Sequence, residues 1–399
     1  LRTIGDTLGV ETVLEGSVRR SEDRVRINAQ LIDASSGFQL WSEEYDRDIT
    51  DIFVVQEELA QSIVRALVPR LGRDTEELYR GGTSDVRAWD LYVAGRQKWY
   101  SREVALLWEA VIDFEEAVAL DPEFALGWSG LADAIDALAY RDSRALGLVP
   151  RAKTAALRAV LLDPDLAEGW ASVGVLAFEA DRDWAAAELA LKRAIALKPS
   201  YAWARSSLGD MLRPQGRIKE AIEQQRMALE LDPLAPVINT SLGTSLIMAR
   251  QFEAGRAQAE RALSVSDEAL PHANLLVWGP QLGLTTEEIE DHAVAFVTAQ
   301  GARNPEGARI IGTAVGSDGS DAQLVAAALD ELGVLIADSV LSVLQIAALY
   351  TILGQPEVAM DWMESPQAEG SLSLGLLGVD PALDPLRGEP RMQRLMVDL

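Results

Sequence analysis

From Ala88 onward apolar positions recur at the three-to-four spacing of amphipathic helices, and the helical runs come in repeating pairs. Pro122, Pro164, Pro199 and Pro233 each close a run of the form Ala-hydrophobic-x-hydrophobic-(Asp or Lys)-Pro, and the last two lie 34 residues apart. Ala117, Ala159, Ala194 and Ala228 stand five residues before each proline, and Ala110, Ala152, Ala187 and Ala221 stand twelve before. Ten after come Ala132, Gly174, Gly209 and Gly243. Small residues at these places predict two antiparallel helices that cross closely. Trp128, Leu131, Trp170, Val173, Leu208 and Leu242 fill the space between pairs, and proline stops the second helix. The interval from Pro122 to Pro164 is 42 residues, eight more than 34, which places an enlarged loop at 140–149 with Pro150 opening the next helix.

The first eighty residues follow a different period. Residues 1–10 read as the end of a helix, after which Val25, Ile27, Ala29 and Leu31 alternate with Arg24, Arg26, Asn28 and Gln30, the signature of a half-buried strand. With 12–20 before it and 38–45 after it, joined by polar turns, this predicts a three-stranded antiparallel meander. Ile52, Val55, Leu59, Ile63, Ala66 and Leu67 then return to helical spacing, giving one helix to cover a sheet face. Past Pro233 the repeat weakens: Gly255 and Asp267 stand where alanine and proline are expected. Residues 285–288 and 320–323 read as capping boxes, a later hairpin spans 340–354 and 356–364, and about eight helix pairs fit between Ala88 and Met396.

The repeat, nearly complete from Ala202 to Pro233, resembles the tetratricopeptide family. The string running through Leu8-Gly9-Val10, 13–20, 24–34, Gly37 and 40–48 resembles the second half of the FlgO-type, TolB amino-terminal-like module that precedes tetratricopeptide arrays in bacterial regulators. The resemblances imply a mainly α chain: a right-handed α-α superhelix preceded by a small truncated α/β module. The expected domains are 1–82, the partial module; 83–267, tetratricopeptide repeats; and 268–399, degenerate helical repeats with a cap at 379–387 over the last open pair. The chain begins with Leu1 and enters the module past its first strand and helix, so it is expected to be a piece of a longer protein. In such proteins the upstream part is a class III nucleotide cyclase, a winged helix or a kinase.

Composition narrows the chemistry. With 48% hydrophobic and 25% charged residues among 399, the chain can bury a large core. A formal net charge of -26 argues against nucleic-acid or anionic-membrane binding and for basic or neutral partners. The absence of cysteine removes disulfides, thiolate metal sites and thiol nucleophiles. No apolar run reaches the length of a membrane span. The compartment expected is cytoplasmic, or periplasmic if a membrane segment precedes the chain. His272 and His292 are the only histidines and lack the spacing of a zinc helix, so both are expected to be structural. The glycines at 312–319 match no phosphate loop, Asp318 and Asp321 match no calcium loop, and Arg19, Arg20, Arg24 and Arg26 are expected on a solvated hairpin face. No catalytic, cofactor or metal residue is expected.

What remains is recognition. A solenoid of helix pairs presents its first helices on a concave surface. By register that surface comprises Leu126, Ser129, Asp133 and Asp136; Glu168, Ala171, Val175 and Phe178; Trp203, Ser206, Asp210 and Arg213; and Val237, Thr240, Thr244 and Ile247. It is apolar with acidic punctuation, so a basic, partly apolar peptide or protein is the expected partner. The function expected is a regulatory or scaffolding segment, with the alternative that the chain is the regulatory part of a nucleotide cyclase.

Overall fold

The computed structural model describes residues 10, 12–21, 24–34, 39–48, 82–266, 269–301, 304–317, 321–337, 341–365, 368 and 376–398. The helices expected at 1–10 and 51–71 lie outside these residues, apart from Val10.

Strands β1 (Thr12–Ser21), β2 (Arg24–Asp33) and β3 (Gln39–Asp48) form the expected antiparallel meander in the order β1-β2-β3. Val25, Ile27, Ala29 and Leu31 are buried, as their alternation requires. β3 runs on to Asp48, beyond the expected Tyr45, because Asp46 lies opposite Arg26 and bonds the guanidiniums of both Arg24 and Arg26, each at 2.6 Å. That pairing consumes two of the four clustered arginines.

The helices come in eight successive pairs among the described residues. They are α1 (Val86–Ser101) with α2 (Val104–Leu120), α3 (Ala125–Arg141) with α4 (Val149–Leu162), α5 (Ala167–Glu179) with α6 (Trp184–Leu197), and α7 (Ala202–Leu212) with α8 (Ile218–Leu231). Then follow α9 (Pro236–Met248) with α10 (Phe252–Val265), α11 (Ala269–Trp278) with α12 (Thr286–Ala299), α13 (Pro305–Gly316) with α14 (Ala322–Ala337), and α15 (Val343–Ile352) with α16 (Pro356–Met363). A 3-10 turn at Pro381–Leu386 and a last helix α17 (Pro390–Asp398) end the chain. No described helix is long and apolar enough to cross a membrane.

Each repeat proline acts one residue ahead of itself. Asp121, Asp163, Lys198 and Asp232 all leave helical geometry, with ψ between 82° and 97°, because the ring of the following proline disfavours the α region before it. The proline carbonyl is then bonded from the next first helix, by Trp128 Nε1 to Pro122 at 2.9 Å and by Trp170 Nε1 to Pro164 at 2.8 Å. In the next repeat Arg205 takes this role toward Pro199. Trp203, two residues earlier, is thereby released for other contacts.

The small residues do as their spacing predicts. The alanines five and twelve before each proline are fully buried, and a Cβ placed on Gly174 would meet Leu191 Cγ at 2.6 Å. Gly255 does not mark a loss of packing: a Cβ there would meet Ile247 Cγ1 at 2.5 Å, so the larger Ile247 has taken the space alanine would fill. The enlarged loop is a 3-10 turn (Ser143–Leu148) anchored by Asp142, which accepts from Trp108 Nε1 at 3.0 Å. Thr285 and Glu288 form the expected capping box. Ser320 lies outside the described residues, and Asp321 caps α14 by accepting from the Gln323 and Leu324 backbone N–H groups. The closing segment reaches back rather than only covering the last pair: Arg250 bonds the Val379 carbonyl at 3.0 Å and Asp384 at 2.7 Å.

Candidate functional site

The first helices of the pairs line one elongated cleft of about 190 Å³. Its wall is built from the C-terminal halves of α1, α3 and α5 with the turns that follow, from α7 along its length, and from the N-terminal part of α9. Trp99 and Arg102 come from the end of α1, Asp133 to Arg141 from α3, Val175 to Arg182 from α5 and its turn, and Trp203 to Pro214 from α7. Val237 to Thr244 of α9, Asn274 and Trp278 of α11, Gln345 of α15 and Asp380 continue it.

Of the residues expected by register, Asp133, Asp136, Val175, Phe178, Trp203, Asp210, Arg213, Val237, Thr240 and Thr244 line this cleft. Leu126, Ser129, Glu168, Ala171, Ser206 and Ile247 stand apart from it. They lie nearer the N-terminal ends of their helices or within the core: Leu126 and Ala171 join small clusters between pairs, Ile247 belongs to the large C-terminal core, and Glu168 is tied to Lys198 at 2.7 Å.

The acidic residues divide by what already holds them. Asp133 accepts from Arg96 of the preceding first helix at 3.1 Å and from Ser172 of the following one at 2.6 Å. Asp210 accepts from Gln225 at 3.0 Å and from Ser241 of α9 at 3.1 Å, with Arg213 3.1 Å away. Both carboxyls therefore bracket neighbouring repeats, and burial raises the pKa of each despite these partners. Asp136 and Glu179 line the same wall from adjacent first helices, and Glu179 Oε2 has no hydrogen-bond partner among the described residues. Burial, then the nearby Asp133 charge, lifts Asp136 to about 7. Burial, then Asp136 and Asp210, push Glu179 well above its ordinary value.

Glu179 was not foreseen. Phe178 holds the position in register with Asp136, and Glu179 one residue later reads as an ordinary helix-end carboxylate. The arginines were underestimated as well: Arg102, Arg141 and Arg182 line the cleft beside Arg213, each near the end of a first helix. Arg102 and Arg182 adopt positive φ of 59° and 54°, a conformation usually left to glycine. The Arg102 guanidinium lies 3.7 Å from the centre of the Trp99 ring and 5.1 Å from that of Trp203. Trp203 thus both packs on the core built by the first pairs and faces the cleft.

Several polar atoms in this wall lack partners among the described residues: Ser207 Oγ, Trp203 Nε1, Arg213 Nε and Glu179 Oε2. The two histidines meet elsewhere, with Nδ1 atoms 2.9 Å apart between α11 and α12, and no group of three or more metal-ligating side chains occurs among the described residues.

No protein-family model matches the chain. Over 133 residues it is 41% identical to a Rhizobium meliloti (strain 1021) protein assigned as adenylate cyclase 3, a match covering 33% of this chain and 23% of that protein. The chain thus spans less than a quarter of the relative's length. Among solved structures, the APC/C hetero-tetramer Cut9-Hcn1 is similar with a TM-score of 0.50 at 13% identity, over 84% of this chain and 59% of that one. A thermophilic TPR protein of Thermus thermophilus is similar with a TM-score of 0.34 at 22% identity, over 49% of this chain and 94% of its own. At these identities the likeness concerns the fold: the helices form a tetratricopeptide-like array.

Proposed function

We propose that this chain is a scaffold or regulatory segment that docks a basic, partly apolar stretch of another protein in the cleft of its first helices. The observation that carries this reading is the cleft wall itself. Rings of Trp99, Phe178 and Trp203 alternate there with polar atoms that have no partner among the described residues, Ser207 Oγ and Trp203 Nε1 among them. A polypeptide supplies both needs at once, apolar side chains for the rings and backbone groups for the orphaned donors. The arrangement proposed is a right-handed superhelix over 83–267, continued by degenerate pairs over 268–399. Residues 1–82 are proposed as a partial FlgO/TolB-like module, which the meander supports.

The experiment is selection of displayed random decapeptides on the intact 399-residue chain, followed by hydrogen exchange with the best binder. Protection is expected at 133–141 and 207–214. Protection confined to the outer helices, where Leu157, Leu161 and Leu189 are exposed, would overturn the assignment of the cleft.

A second reading has one observation in its favour. The 41% identity to a protein assigned as an adenylate cyclase suits a chain that regulates a cyclase domain of its own parent. Sequencing the gene upstream of Leu1 decides it: metal-binding aspartates of a cyclase domain support that parent, and a winged helix excludes it.

A further inference from the structure

We infer that the outer edge of β1 is a self-pairing surface, at which two copies of this chain join edge to edge into one six-stranded antiparallel sheet, three strands from each. The surface lies on the amino-terminal meander and shares no residue with the cleft. Among the described residues β1 pairs only with β2, in unbroken register from Thr12 opposite Asp33 to Ser21 opposite Arg24. Residues 14–19 are all exposed, and in Gly16 that exposure belongs to the main chain itself. The strand runs ten residues without proline or bulge, so its outward N–H and C=O groups form a template for another strand.

One face of the sheet gives the edge an apolar reason to be covered. On β2, Leu31 and Ile27 are 3% and 7% exposed, whereas Leu14 and Val18, directly opposite them on β1, are 50% and 66% exposed. The apolar face thus runs on to β1, where it is open to water. A strand laid along β1 would shield both side chains.

The other face selects which strand fits. Glu15 stands opposite the neutral Gln30 and accepts from its Nε2 at 2.9 Å, while Arg19 stands opposite Arg26, a like charge already bonded to Asp46. Neither Glu15 nor Arg19 therefore has an opposite charge directly across from it in the sheet. An antiparallel second copy of β1, with Ser17 opposite Ser17, sets Glu15 of each copy against Arg19 of the other. Two charge pairs then flank a two-fold axis on this face, while Val18 meets Gly16 on the other face and the exposed Leu14 and Val18 of both copies come together. The opposite outer strand has no such self-complementarity. β3 carries Glu43, Glu44 and Asp46 close together, so pairing with its own copy would crowd carboxylates, and its register against β2 shifts between Leu31 and Ile32.

The test begins with the mass of the intact chain. Sedimentation equilibrium should give twice the mass of one copy. Glu15→Lys, which sets an ammonium against Arg19, should weaken the dimer by at least about tenfold. Combining it with Arg19→Glu should restore the dimer, a rescue that misfolding of the single variant would not allow. Because the chain has no cysteine, one introduced thiol reports the register. Oxidised Ser17→Cys should form a covalent dimer, since Cα atoms directly opposite one another lie about 4.5 to 5.5 Å apart, within reach of a disulfide. Glu15→Cys should not, because its two copies would stand about 13 Å apart along the strands. A monomer at every concentration would overturn the assignment, and slow exchange of the β1 amides in that monomer would give the edge to another segment of the same chain. A dimer that Glu15→Lys leaves intact, or that Ser17→Cys does not cross-link, would place the contact elsewhere and overturn it equally.

Discussion

The indole rings of Trp99 and Trp203 meet edge to face, with centroids 5.2 Å apart and planes at 84°, although one closes α1 and the other opens α7, three helix pairs later. The stacking of the first helices therefore brings together two rings that both line the cleft. Trp99 is fixed by its Nε1 bond to the Asp133 carbonyl at 3.0 Å, while the Trp203 Nε1 is unbonded among the described residues. Trp203→Ala should remove the aromatic pair and leave a void, lowering stability in urea by about 2 kcal/mol. Trp203→Phe keeps a ring there and should cost less than about 1 kcal/mol. If both variants melt like the parent, the contact contributes nothing to stability.

Gly209→Ala is expected to destabilise by about 1 to 3 kcal/mol. The added methyl would lie 2.7 Å from Gln225 Cγ and 2.9 Å from the Ala221 carbonyl oxygen. Gln225 cannot retreat freely because its amide is bonded to Asp210. Gly147→Ala is the control, for nothing lies within 4 Å of a methyl at that place. Equal melting temperatures for the two variants would contradict the close crossing of α7 and α8.

Asp380→Ala should loosen the C-terminal segment. Asp380 is 1% exposed and accepts from Trp278 Nε1 at 2.9 Å and from the Ala382 N–H at 2.8 Å. Removing it strands two buried donors, a loss of about 2 to 4 kcal/mol. Asp380→Asn keeps an acceptor and should cost less. Hydrogen exchange reads the outcome directly, with faster exchange expected across 376–398 and little change in α3 to α8. Unchanged exchange in 376–398 would mean that the Arg250 bonds to Val379 and Asp384 suffice alone.

The sequence made visible what is local or repeated. Prolines, small residues at fixed offsets and the alternation of β2 each act within a few residues of themselves, so the helix pairs and the meander followed from them. The contact of Trp99 with Trp203 depends on how successive pairs stack, which no single repeat displays. Arg250 and Asp384 are remote in sequence, and neither stands at a repeat position that would announce the contact. Glu179 escaped because it lies one residue off the register that picked out Asp136, and helix ends drift most from register. Acidic residues that looked available, Asp133 and Asp210, prove to be brackets between repeats, since a small carboxylate facing the next helix finds hydroxyl and amide partners there first.

The histidine pair gives a pH effect of defined sign. His272 Nδ1 and His292 Nδ1 are 2.9 Å apart, so one of the two donates and the other accepts. Burial first, and His272 second, hold His292 at about 4 against an ordinary 6.5, although Glu288, Asp291 and Glu260 pull the other way. A folded-state value below the unfolded one means that this contribution is complete above pH 6.5 and is lost as pH falls toward 4. The ring is half-buried, so solvent screening limits the effect to about 1 kcal/mol. Asp136 acts oppositely in much of the same window: its pKa is raised from 3.8 to about 7, so its contribution declines as pH rises through that range. The wild-type stability curve therefore mixes two opposed slopes, and the difference between proteins is the useful quantity. His292→Asn removes the titration while leaving an acceptor oxygen. Urea denaturation at pH 7 and pH 5 should show the wild type losing about 1 kcal/mol more than this variant across the interval. An identical change in both proteins would show that the pair does not hold His292 neutral.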